Sequence, residues 1–194
     1  MALTITALFL LLLITALASG TGARVLRHLG LEESPAVERA CFALAIGLGC
    51  IAYGILALGL LHLLRLLPVL LLLAGFAILG ARPGMALGRA FFRALRQRQS
   101  GGVLGLATGG MVAVLLLLAL VAALAPPSGG DWDGISYHLA DPALYLRQGR
   151  IVGLFWESHS NFPFTLEMLY TLALLLHSPG AARAFHWLFL ALSC

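Results

Sequence analysis

The chain has 194 residues, of which 61% are hydrophobic and 10% charged, against roughly 45–50% and about 25% in an ordinary soluble domain. With a mean hydropathy of +0.99, a fold of this size cannot hide its apolar surface from water. Soluble enzyme, nucleic-acid-binding domain and disordered chain are therefore excluded, and an all-α, polytopic helical membrane protein is predicted, with lipid covering much of the surface. The net charge of +4 does not argue for nucleic acid, because the twelve basic residues are all Arg and most sit in short connections between apolar runs, where they set topology.

The first apolar run is Ala2 to Ala18. Ala16-Leu17-Ala18 resembles a signal-peptide cleavage site, yet no positive charge precedes the run and Arg24 and Arg27 follow it. That order predicts a retained helix whose amino end faces outside. Gly20 to Arg39 reads as a polar connection, with Ser34-Pro35 opening the next helix. The second span is predicted from about Ala40 to Leu61, where Ala43, Gly47, Cys50 and Gly54 permit close helix approach. His62 and Arg65 mark a tight turn, and a third span follows over about Leu66 to Leu79. The stretch 82–99 then reads as a separate basic amphipathic segment on the inner membrane surface, with Arg89, Arg93 and Arg96 on one face. The fourth span is predicted over about Gly101 to Ala125. Gly101, Gly105 and Gly109 repeat on one face of it and are expected to pack against another helix; no Gly-Lys-Ser/Thr follows to make them a phosphate loop.

The inward connections carry eight Arg (24, 27, 39, 82, 89, 93, 96 and 98) and the outward ones three (65, 147 and 150). The excess predicts that the amino terminus and the 131–163 region lie outside, which for a bacterial inner membrane is the periplasmic or outer face. Cys41, Cys50 and Cys194 show neither metal spacing nor a disulfide framework.

After Pro126-Pro127 the composition changes. Residues 127–165 form an expected outer loop with short juxtamembrane helices, and 166–194 an incomplete further membrane region. Phe185 to Cys194 is an apolar run without a polar flank, so the sequence is expected to be the amino-terminal portion of a longer protein. Ser128 to Glu167 holds five of the eight acidic residues. Asp131 and Asp133 form an Asp-x-Asp beyond the fourth span. Such a pair can share a divalent cation, or one carboxylate can act as a general base, or both can cap a hydrated loop. Asp141-Pro142 reads as N-cap and N1 of a helix closed by Gly149; a helix running through would kink at Pro142. Tyr137, Asp141 and Tyr145, at i, i+4 and i+8, would share a polar face. His138 can bond Asp141 or meet a phosphate, and Arg147 and Arg150 can pair with phosphate, lipid headgroups or loop acids. Glu157, His159 and Asn161 form a second polar cluster. Asn161-Phe162-Pro163 leads into the apolar run Phe164 to Leu176, short for a span, with Glu167 near its outer end.

Taken in order, Asp131-x-Asp133-x-x-Ser136-Tyr137-His138-Leu139, Leu144-Tyr145-Leu146-x-x-Gly149-x-Ile151 and Asn161-x-Pro163-x-x-x-Glu167-Met168-Leu169-Tyr170 resemble the first outer loop of bacterial membrane glycosyltransferases of the C-type fold. These include family 39-like enzymes, the protein mannosyltransferases and the aminoarabinose transferases of lipid A. The resemblance covers roughly residues 131 to 180. It implies a polyprenyl-phosphate-linked sugar donor, an outer-face acceptor and an acidic loop residue as base. Carried over by position, Asp133 is the base and Asp131 its partner. Relatives often have Lys-Pro-Pro where this chain has Asn161-Phe162-Pro163, so phosphate binding would fall to Arg147, Arg150 or a residue beyond Cys194. Tyr137, His138, His159, Asn161 and Glu167 complete the expected substrate-binding set. A divalent cation on Asp131 and Asp133 is the one cofactor considered. The resemblance also implies more membrane helices than this sequence contains, and no turnover by this portion alone. The competing readings are a non-enzymatic polytopic protein, such as a transporter fragment or assembly partner, and a degenerate transferase that binds polyprenyl phosphate. A transporter would place ionisable residues mid-span, and spans one to four hold essentially none.

Overall fold

The computed structural model describes residues 2–97, 102–125, 131–161 and 164–194. All regular structure among them is helical. The helices are α1 (Ala2–His28), α2 (Ala36–Leu60), α3 (Leu66–Gln97), α4 (Gly102–Leu124), α5 (Ala140–Gln148), α6 (Thr165–Leu175) and α7 (Pro179–Leu192), with a π-helical turn at Gly134–His138 and a 3₁₀ turn at Ser158–Asn161. Four of them, α1 to α4, are long and apolar enough to cross a membrane. The protein is membrane-associated. Its exposed side chains include Leu115, Leu117, Leu118 and Val121 on α4, an apolar surface that lipid accommodates and water does not.

Helices α1, α2 and α3 pack on one another, and α6 and α7 close one side of this bundle. Ile14, Leu48, Ile51, Ile55, Leu169, Leu172 and Phe185 share the principal core. The approach of α1 to α2 is made by small residues. A Cβ on Gly47 would lie 1.8 Å from the Ala18 carbonyl oxygen, and one on Gly22 equally close to that of Ala43. Of the small residues expected to pack on α2, Ala43 and Gly47 face α1, whereas a Cβ on Gly54 would stand 2.8 Å from the Leu72 side chain on α3.

Two expected breaks are absent. α1 continues to His28, so the polar connection shrinks to the residues before Ala36, with Arg27 bonding Glu32 at 2.8 Å. The third span and the basic segment form one 32-residue helix, α3. Pro83 sits inside it, buried against the bundle, and packing on α1 carries the helix past it. The glycine face of α4 is also not a packing face here: a Cβ on Gly105 or Gly109 meets nothing within 4 Å. No described helix covers that side, and α4 touches the rest through α7.

The loop region folds over one end of the bundle. The Leu64 N–H donates to the Gly149 carbonyl at 3.1 Å, and the Ile151 N–H to the Gly59 carbonyl at 3.1 Å. The 131–161 region and the α2–α3 turn thus share an end, while Arg27, Glu32 and Arg39 gather with Pro83 and Leu87 at the other. Gly149 ends α5 as the sequence predicts, in the left-handed region at φ 65°, where the cap's N–H reaches carbonyls of the last turn. Gly149→Ala is expected to cost about 1–2 kcal/mol, read as a lowered unfolding midpoint in detergent micelles.

Asp141 is not the N-cap. The π turn runs into α5 through Leu139, whose N–H donates to the Gly134 carbonyl, five residues back, at 3.0 Å. Pro142 has no N–H to give the His138 carbonyl, and its ring crowds that oxygen. Widening the preceding turn relieves the crowding, and such turns recur at functional sites. The widened turn also shifts the helical phase. Tyr137 stays partly exposed, whereas Asp141 and Tyr145 are buried in the interior. The expected shared polar face does not form.

Candidate functional site

A cavity of about 380 Å³ opens where α4 ends, between the π turn, α6 and α7. Its polar wall carries Asp131, Asp133, His138, Tyr170, Arg183 and His186; its apolar wall comes from Ala119, Ala123, Trp187 and Leu190. α4 is 23 residues long, about 34 Å at an α-helical rise, enough to cross a hydrocarbon core of roughly 30 Å. A cavity at the end of a helix of that length sits at spanning distance from the helix's other end, and its lining is mostly apolar with a polar wall.

Each wall is built for a reason. Asp131 opens the helical turn that starts the loop, and its carboxylate folds against Gly134, where a Cβ would stand 2.5 Å from its oxygens. Only glycine leaves that space. Arg183 reaches Asp131 with Nε at 3.5 Å. The same guanidinium donates to the Ala122 carbonyl at 3.3 Å and to the Ala125 carbonyl, closing the α4 carboxyl end, where free carbonyls favour a cation. Trp187, one helical turn on, donates Nε1–H to the Leu116 carbonyl at 2.8 Å. α7 is thereby fixed antiparallel to α4. Asp133 is exposed at the cavity and in no ion pair among the described residues.

On the α6 side, His138 Nδ1 lies 2.7 Å from Glu167 Oε1, and Glu167 is buried. With Glu167 ionised its oxygen can only accept, so the His138 ring donates its Nδ1–H. The Tyr170 hydroxyl stands 3.4 Å from His186 Nδ1. Outside the cavity, His159 stacks on Tyr137 with ring centroids 4.4 Å apart. Its backbone N–H donates to Glu157 Oε1 at 3.0 Å, and its ring Nδ1 meets the same oxygen. These bonds hold the Glu157 carboxyl below the usual range. The Tyr137 phenol is pushed up, by burial first and then by the charges of Asp133 and Glu167. Tyr145 is pushed up to about 12, by burial and then by Asp141 and Glu167.

No protein-family model, curated protein or solved structure matches the chain.

Of the residues singled out in the sequence, Asp131, Asp133 and His138 line the cavity, and Glu167 holds His138 from behind. Tyr137 and His159 form an adjoining stack. Arg147 and Arg150 are exposed at the far end of α5, near Gly149, and line none of the cavity. The side chain of Asn161 lies outside the described residues, as do Gly101, Arg98, Pro126, Pro127 and Pro163. Arg183, Tyr170 and His186 belong to the site although the sequence analysis assigned them no part in it. Tyr170 stood in the motif that carries the resemblance but was given no role; for Arg183 and His186 the one signal was ionisable side chains inside an apolar helix. A cation on Asp131 and Asp133 does not fit these residues, because Asp131 already carries Arg183. Among the described residues no group of three or more His, Cys, Asp or Glu is placed to hold a metal ion.

Proposed function

We propose that the chain is part of an integral membrane glycosyltransferase of the bacterial inner membrane, moving a sugar from a polyprenyl-phosphate donor to an outer-face acceptor. The observation that carries the reading is the cavity at the end of α4, where the free carboxylate of Asp133 and the guanidinium of Arg183 line one space at the membrane edge. A lipid-tethered phosphosugar presents its reacting carbon at that depth. In this reading Asp133 takes the proton of the acceptor hydroxyl. The hydroxyl oxygen bonds the anomeric carbon while the bond from that carbon to the phosphate oxygen breaks. The electron pair leaves with the phosphate, whose charge Arg183 meets. The loop resemblance supports a single displacement with inversion. Arg183 takes the place that the sequence offered to Arg147 or Arg150. His138, held by Glu167, orients the sugar or acceptor by a hydrogen bond.

The test supplies labelled polyprenyl-phosphate sugar to membranes containing the full-length gene product. Asp133→Asn is expected to lower transfer by at least about 100-fold, with membrane levels of the protein unchanged. Equal transfer by wild type and variant would remove Asp133 as the base. No transfer by wild type, together with retained binding of the lipid, would favour the degenerate transferase.

A further inference from the structure

We propose that the end of the bundle opposite the candidate site binds an anionic phospholipid, one acyl chain lying in a groove between α1, α2 and α3 and the headgroup resting on α3 arginines. The groove measures about 700 Å³, and its walls are almost wholly apolar, among them Leu17, Leu44, Phe76, Gly88 and Phe91. A second, shallower cavity is lined by Arg89, Phe92, Arg93 and Arg96, and Gly88 lines both. Gly88 is the one residue that lines both, so the cluster of three arginines borders the apolar groove.

The arginines stand at the right depth. α3 is continuous from Leu66, so Arg89 lies about 34 Å along it, just past a hydrocarbon core of roughly 30 Å. None of the three arginines has an ion pair with a described carboxylate, and Arg93 Nε donates to the Arg89 carbonyl at 3.3 Å. Cations at headgroup depth beside an apolar groove complement a negatively charged headgroup on an acyl chain. The inference is independent of the transfer reading, because these residues lie at the other end of the molecule.

The glycine shared by the two cavities supplies a clean probe. A Cβ on Gly88 meets nothing within 4 Å, whereas one on Gly84 would stand 2.9 Å from Gly20 Cα. Gly88→Trp therefore fills the groove without prising the helices apart.

The experiment equilibrates the purified full chain with mixed micelles of equal phosphatidylglycerol and phosphatidylcholine and counts the retained lipids by native mass spectrometry. Wild type is expected to retain phosphatidylglycerol over phosphatidylcholine by more than tenfold, about fivefold arising per arginine. The triple variant Arg89→Gln, Arg93→Gln, Arg96→Gln should bring the ratio close to one. Gly88→Trp should lower the phosphatidylglycerol retained although every arginine is present. The control Arg65→Gln, Arg147→Gln, Arg150→Gln, at the other end, should keep the wild-type ratio. A wild-type ratio near one, a triple variant that keeps its preference, or a control that loses it overturns the proposal. So does displacement of the lipid by inorganic phosphate at equal concentration, which would mean that the groove contributes nothing. Helical circular dichroism identifies any variant that misfolds, and the remaining variants then decide.

Discussion

Gly47→Leu is expected to destabilise the protein by about 4 kcal/mol or more, the range reserved for severe core clashes. The helix α2 crosses α1 so closely at this point that a Cβ would stand 1.8 Å from the Ala18 carbonyl oxygen and 2.8 Å from Ala18 Cα. Both obstacles are backbone, so no rotamer change relieves them; the helices must separate. Separation would open the contacts of Ile14, Leu48 and Ile51 at the same interface. Gly49→Leu is the matched control. Its Cβ meets nothing within 4 Å, and leucine is the better helix former by up to about 1 kcal/mol, so this variant should be neutral or slightly stabilised. Thermal unfolding in detergent micelles, followed by circular dichroism, reads both. Equal midpoints for the two variants would mean that α1 and α2 do not approach as described.

Asp141→Asn is expected to raise stability at neutral pH and to remove a pH dependence. Asp141 is 2% exposed, and its Oδ2 has no hydrogen-bond partner among the described residues. Its carboxyl is pushed up from 3.8 to about 6, by burial first and then by Glu157, with His159 opposing and Glu167 adding. Because the folded value lies above the unfolded one, the favourable contribution is complete below about pH 4 and is lost as the pH rises through about 6. A shift of this size amounts to about 3 kcal/mol at most. Wild type and Asp141→Asn should therefore have similar stability near pH 4, and the variant should gain toward pH 8. A constant difference from pH 4 to pH 8 would show that Asp141 is solvated in the folded protein.

Some of this architecture could be read residue by residue. Gly149 at the end of α5 is a local device, visible in the sequence; the cap at α7, where the Ser178 side chain accepts from the Ala181 N–H at 3.3 Å, was equally local but was not read. Asp131, Asp133 and His138 lie within one short segment, so their proximity was legible too. Arg183 was not. Its partners at Ala122 and Ala125 lie 61 and 58 residues away, and nothing in the spacing of α7 points to them. The His138–Glu167 pair spans 29 residues; both members drew notice in the sequence, but as separate candidates. The orientation of Asp141 was misleading for a different reason. An i, i+4, i+8 pattern assumes an unbroken α-helical phase, and Pro142 changes that phase by widening the turn before it.

By itself the sequence determined that this protein lives in lipid, that long apolar helices carry it, and that a polar segment follows the fourth. Each of these follows from composition and hydropathy along the chain, which no later fold can alter. Only the tertiary structure decided that α3 passes Pro83 unbroken, that the glycines of α4 face no helix, and that Arg183 rather than Arg147 or Arg150 stands at the cavity with Asp133. Those outcomes depend on which helices lie side by side, a property of the path of the whole chain and of the backbone approach that Gly22 and Gly47 permit.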